Sequence, residues 1–180
     1  MSSIIKVNTY QDANGNALFS SDGSGNVSGN LTNVPAFIAQ RTTSQTLTDN
    51  TWTKVAFNNE VYDSDGYYDA TTNYRFTPLV AGKYFLSTGL MLSAGSNTQV
   101  DQSSIAIYKN GSYHKYLGQD NRASSTRQDA KMLSCLVEAN GTTDYFEVYV
   151  LADTISVTPS IANVDGGRGC FFSGYKLGGA

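Results

Sequence analysis

The residues that could do chemistry in this 180-residue chain are one histidine, two cysteines, a short acidic run and a set of tyrosines. His114 stands beside Lys115 with no second histidine to share a metal ion. A hydrolase built from Ser, His and Asp would have to use it, yet no serine lies in a Gly-x-Ser-x-Gly elbow, so a solvated side chain is the expectation. Cys135 and Cys170 sit in apolar, strand-like runs without metal-ligand spacing, where a thiolate is disfavoured and a buried free thiol is expected. Asp63, Asp65 and Asp69 cluster in DSDGYYD, and gathered carboxylate oxygens are what calcium wants. The run lacks the later bidentate Glu of a calcium loop, so a hydrated loop is the plainer reading and calcium the one cofactor it could hold. Tyr67, Tyr68, Tyr113 and Tyr116 lie in or beside turns. Grouped at one end they would offer flat rings and hydroxyls to a sugar or a protein; otherwise they are strand formers at half-buried positions. An enzyme is not expected.

Composition sets the frame for these side chains. Charged residues make up 15% of the chain, while Gly, Asn, Ser, Thr and Tyr abound, a balance that favours short strands and tight turns over helices. A net charge of −3 leaves no basic surface for nucleic acid. No run approaches the roughly 20 apolar residues that span a bilayer, so membrane insertion is not expected. The amino end, MSSIIKVNTYQDANGN, lacks the apolar stretch of a signal peptide, and the expectation is a product assembled in a cytoplasm.

Residues 1–34 read differently from the rest. Ile4, Ile5 and Val7 make a short apolar run, and turn dipeptides follow in quick succession around Leu18 and Phe19. That is too little apolar surface for a core within one chain. The segment is expected as an extended arm: wound with two copies into a stem, docked on another protein through Ile4, Ile5, Val7, Leu18 and Phe19, or disordered.

From Pro35 to residue 180 strands recur at the spacing of a sandwich: residues 36–41, 53–57, 74–77, 83–92, 104–109, 113–117, 131–137, 145–151 and 169–177. Asn110-Gly111 between two apolar-polar runs predicts a tight hairpin, and Asn140-Gly141 is expected to repeat the device. Alternation in YFEVYV puts Phe146, Val148 and Val150 on one face and Tyr145, Glu147 and Tyr149 on the other. The expected core comprises Phe37, Val55, Phe57, Phe76, Leu86, Ile107, Leu136, Phe146, Val148 and Phe172. The stretch 84–92 is apolar on both faces, with Tyr84, Leu86, Leu90 and Leu92 opposing Phe85 and Met91. A strand greasy on both sides calls for cover by a neighbouring subunit or by a loop. Tyr84, Leu90, Leu92, Tyr145 and Tyr149 are the expected subunit interface.

Five stretches in order carry a family resemblance: PAFIAQ at 35–40, VAFNN with VYD at 55–63, Phe76 with Gly82-Lys83-Tyr84, IYKNG at 107–111 and FSGYKL at 172–177. Together they resemble the globular head shared by complement-type and tumour-necrosis-factor-like proteins. The resemblance implies an all-β jelly-roll sandwich that assembles as a homotrimer. The longer segment between Tyr62 and Tyr74, and Leu86 and Thr88 where the family often carries aromatics, depart from the pattern. The amino-terminal segment resembles the start of structural proteins of tailed bacteriophages. That implies a virion protein with other virion proteins, capsid or tail, as partners. Two roles follow: a capsid decoration held by its arm, or a tail-fibre knob that binds a host-surface glycan or receptor.

Overall fold

The computed structural model describes residues 7–29, 34–95 and 98–177. The chain divides into two compact units, Met1–Val34 and Pro35–Ala180. Ile4 and Ile5 lie outside the described residues.

Where an extended arm is expected, the described part of the first unit is a three-stranded antiparallel meander: β1 (Thr9–Gln11), β2 (Ala17–Ser21) and β3 (Val27–Gly29). Two turns of the same construction make it. Asp12 accepts the backbone N–H groups of Asn14 and Asn16, both at 2.9 Å. Ten residues on, Asp22 accepts those of Ser24 at 2.7 Å and Asn26 at 3.2 Å. A carboxylate that takes backbone donors closes the turn locally, and among the described residues of this unit before Val27 none is buried. Val7 and Leu18 remain exposed, and Phe19 stacks on Tyr10 with centroids 4.3 Å apart.

The second unit holds β4 (Ala36–Gln40), β5 (Gln45–Thr46), β6 (Thr53–Lys54), β7 (Asn59–Asp63), β8 (Tyr68–Asp69), β9 (Arg75–Phe76), β10 (Gly82–Ser93), β11 (Val100–Lys109), β12 (Ser112–Asp120), β13 (Gln128–Ala139), β14 (Phe146–Thr154), β15 (Ser160–Ile161) and β16 (Phe171–Lys176). Each of the nine expected strands has its counterpart. The first sheet runs β7-β4-β16-β10-β13, with β15 and β5 beyond the end of β16; the second runs β12-β11-β14-β9-β8, with β6 also on β14. The described pairings are antiparallel.

Between the sheets lies an aromatic and β-branched core. Phe37 stacks on Phe76 at 4.2 Å and meets Phe172 edge-on at 5.0 Å, while Ile105, Ile107, Phe146, Val148 and Val150 close from the second sheet. The expected core is buried as read except for Leu136, which is 59% exposed. Strand β13 alternates with Lys131, Cys135 and Val137 inward, and Leu136 therefore points out. Lys131 is kept inside by ligation: its Nζ lies 2.8 Å from an Asp129 carboxylate oxygen and 2.9 Å from Gln119 Oε1, and Asp129 also accepts from Ser103 and Asn121. A buried ion pair with its remaining polar sites satisfied can stand where a lone charge could not.

The Asn110-Gly111 turn is as read, with φ of 53° and 77°. Asn140-Gly141 is a different device. Strands β13 and β14 belong to different sheets, so no hairpin forms there. The Asn140 side chain instead accepts the N–H groups of Thr142, Thr143 and Asp144 within 3.1 Å and shapes a loop between the sheets.

Candidate functional site

The acidic loop does not gather its oxygens. Asp63 accepts backbone N–H groups from Asp65, Gly66 and Tyr68, and Asp69 those of Thr71, Thr72 and Asn73. Asp65 pairs with the Ser64 hydroxyl. The N–H groups of Thr72 and Thr71 hold the Asp69 carboxyl well below the usual range. These carboxylates shape turns, and among the described residues no group of three His, Cys, Asp or Glu side chains is placed to hold a metal ion. His114 is half-buried, its Nε2 3.4 Å from the Leu136 carbonyl. Cys135 and Cys170 are buried free thiols, and burial pushes both up in pKa, away from a nucleophile.

Two outward surfaces remain. The first is the outer face of the first sheet. Tyr84, Leu90 and Leu92, expected at a subunit interface, are buried within the protomer, and burial pushes the Tyr84 phenol, which donates to the Val80 carbonyl at 2.7 Å, up to about 12. Parity decides this: the even-numbered side chains of β10 face the core, so the open face carries Phe85, Ser87, Gly89 and Met91. Register sets Leu136 and Tyr175 beside Phe85, and Met132 and Phe171 beside Gly89. Beyond β16, Ile38 follows in line with Ser173, and Tyr62 with Ile38. Met132 is 66% exposed. Between Lys83 opposite Glu138 at one end and Ser93 opposite Gln128 at the other, no charged residue points outward from β10 or β13.

The second surface is the outer face of the second sheet, and it is aromatic. Tyr108 stacks on Tyr149 at 4.1 Å and packs at 4.6 Å from Tyr113; Trp52 meets Tyr113 edge-on at 5.3 Å. Tyr116 is 68% exposed and Tyr113 55%. Beneath the rings Glu147 is buried and paired with Lys54 at 2.9 Å, and Lys54 also donates to the Asn73 carbonyl at 3.0 Å. Burial raises the Tyr108 and Tyr149 phenols, so both stay protonated donors across the neutral range. Of Tyr145 and Tyr149, both expected at the interface, Tyr149 thus lies on the second sheet and Tyr145 just before β14, under the Arg75 guanidinium at 4.4 Å. Of the four expected surface tyrosines, Tyr113 and Tyr116 share this face. Tyr68 is buried, donating to the Phe57 carbonyl at 3.1 Å, and Tyr67 is half-buried against the core. Trp52 and Tyr108 had no signal of their own in the sequence: one is a lone indole just before β6, the other a residue inside β11.

No family model and no curated protein sequence matches the chain. Solved structures do match. A crystal structure of murine APRIL aligns with a TM-score of 0.57 at 11% identity, covering 80% of this chain and 99% of that one. The globular domain of a zebrafish complement 1qA protein aligns with a TM-score of 0.57 at 15% identity, over 79% and 96% of the two chains. Eiger TNF from S. frugiperda aligns with a TM-score of 0.53 at 10% identity, over 82% and 93%. The chain thus has the jelly-roll fold of these structures. At such low identity the likeness is one of fold, and the contacts of the jelly roll must be argued from its own two faces.

Proposed function

We propose that the chain is a homotrimeric, non-catalytic structural module of a bacteriophage virion, a capsid decoration held through its amino-terminal unit. The observation that carries the assembly is the uncharged, largely apolar stretch on the outer face of β10 and β13, between the Lys83–Glu138 and Ser93–Gln128 pairs. Met91, Met132, Leu136, Phe85 and Tyr175 on one flat surface form a patch that a lone protomer leaves wet. At roughly 25 cal/mol per Å² such surface gains most when covered, and a stable interface needs about 1,000 Å² or more. A second copy offers the same patch and the same sheet edges, and the jelly-roll resemblance implies threefold closure. Attachment through the amino-terminal unit is supported by its lack of buried described residues: Val7, Tyr10 and Leu18 are exposed, surface that another protein could cover. The bacteriophage assignment rests on the resemblance of that segment to virion proteins.

A second reading, a tail-fibre knob that recognises a host surface, is favoured by the aromatic face of the second sheet. Electron microscopy of purified particles carrying a labelled copy separates the two. Label over the capsid supports decoration, and label on the tail supports the knob. A chain lacking residues 1–34 should remain a folded trimer, because the core lies within the second unit, yet should no longer bind particles. Particle binding retained after this deletion would overturn attachment through the amino-terminal unit.

A further inference from the structure

We propose that the outer face of the second sheet is a binding site for a neutral oligosaccharide, complete within one protomer. A shallow groove of about 740 Å³ runs along β12, bounded by Trp52 and Tyr116 at one end and by Gln102 and Asp120 at the other. It continues into a second hollow of about 430 Å³ lined by Trp52, Tyr113 and Tyr116. The floor is kept low by small residues. Gly118 pairs with Ser104 across β11 and β12, and a Cβ on Gly118 would lie 2.8 Å from the Ser104 hydroxyl, so glycine here keeps the groove open.

The two ends differ in chemistry, and the difference selects the ligand. A pyranose ring has an apolar C–H face and a rim of hydroxyls. Trp52, Tyr113 and Tyr116 give the apolar face a rigid aromatic surface at little entropic cost. Gln102, Ser104 and Asp120 supply amide, hydroxyl and carboxylate partners for the rim. From Tyr113 to Asp120 the strand spans roughly 23 Å at about 3.3 Å per residue, the length of about four linked sugar rings. Among the described residues an anionic ligand would find no unpaired cation at the acidic end: Arg122 reaches Asp120 at 3.5 Å and Asp153 at 3.9 Å. Lys54 is bound to Glu147. A protein partner would be expected to find a broad flat patch, and the first sheet already provides one.

The site needs neither the trimer nor a place on the particle, so its failure and theirs are distinguishable. The test is saturation-transfer NMR and titration of the full-length protein with unmodified tetrasaccharides of glucose, mannose, galactose and N-acetylglucosamine, and with sialyllactose. We expect at least one neutral tetrasaccharide to bind saturably, with transfer strongest at ring C–H protons. Tyr116→Ala should weaken that binding by about tenfold or more at an unchanged melting temperature, and Gly118→Val should weaken it independently by filling the floor. Leu136→Lys, on the other sheet, should leave the affinity per site unchanged. No saturable binding of any neutral sugar up to roughly 10 mM, binding of sialyllactose alone, or neutral binding indifferent to both Tyr116→Ala and Gly118→Val would each overturn the site.

Discussion

The two outer faces of the jelly roll are built from different materials. On the first sheet Met91, Met132, Leu136 and Phe85 lie on a stretch of β10 and β13 without outward charge. On the second, tyrosines and Trp52 stand over the Lys54–Glu147 pair and beside Gln102 and Asp120. Thioethers and aliphatic chains gain when water is removed for good and adapt to the surface that covers them. Aromatic rings with polar neighbours hold a partner and can still face water when it leaves. On the functions proposed above, one face would serve permanent assembly and the other reversible contact.

The largest effect that separates the faces should come from charge on the first. Met132→Lys with Leu136→Lys would bury two ammonium groups per protomer in the assembled state, a cost of several kcal/mol for each unpaired charge. Gel filtration should show the trimer lost at micromolar concentration, with the melting temperature lowered because assembly no longer supports the fold. Strand content by circular dichroism should be unchanged. A trimer that survives this pair would place the interface elsewhere.

Next in size is the ion pair beneath the tyrosines. Lys54→Met strands the buried Glu147 carboxylate, and because Lys54 itself is about a third exposed we expect about 2 kcal/mol of destabilisation, below the full cost of breaking a buried pair. Urea unfolding should register the loss, while light scattering should show the trimer mass retained. Loss of the trimer instead would show that the two faces are coupled. Smaller still is Tyr116→Ala: the ring is mostly exposed, so stability should move by no more than about 0.5 kcal/mol while sugar binding falls.

Acid should touch neither face at first. The folded state holds the Asp69 carboxyl below its ordinary value of 3.8 through the N–H groups of Thr72 and Thr71. A depressed folded pKa gives stability that is fully present above the ordinary value and is lost as pH falls through the lower one. Unfolding midpoints should therefore drop below about pH 4, and Asp69→Asn should flatten that acid limb. An acid limb unchanged by this substitution would show that the turn contributes nothing through its charge.

Strand positions were legible because alternation and turn dipeptides report local geometry. The run 145–150 even assigned its core face correctly, since Phe146, Val148 and Val150 contrast with Glu147. In β10 both faces are apolar, so period two revealed two faces without saying which was the core, and Tyr84, Leu90 and Leu92 prove to be buried while Phe85 and Met91 face outward. Leu136 misled for a related reason: inside β13 the inward positions include Lys131 and Asp129, so hydropathy pointed the wrong way. Asn140-Gly141 looked like a second hairpin because a dipeptide cannot tell whether its flanking strands share a sheet. The aromatic face was half legible. Tyr113 and Tyr116 stand out beside the Asn110-Gly111 turn, but the pairing that brings Trp52 to Tyr113 spans some sixty residues and leaves no local mark.

The account stands on the first-sheet face as a subunit interface, and the solution mass of the full-length protein by light scattering across a hundredfold range of concentration tests it most directly. We predict three times the 19.4 kDa of one chain, independent of concentration through the micromolar range and abolished by Met132→Lys with Leu136→Lys. A mass of one chain at every concentration would contradict it.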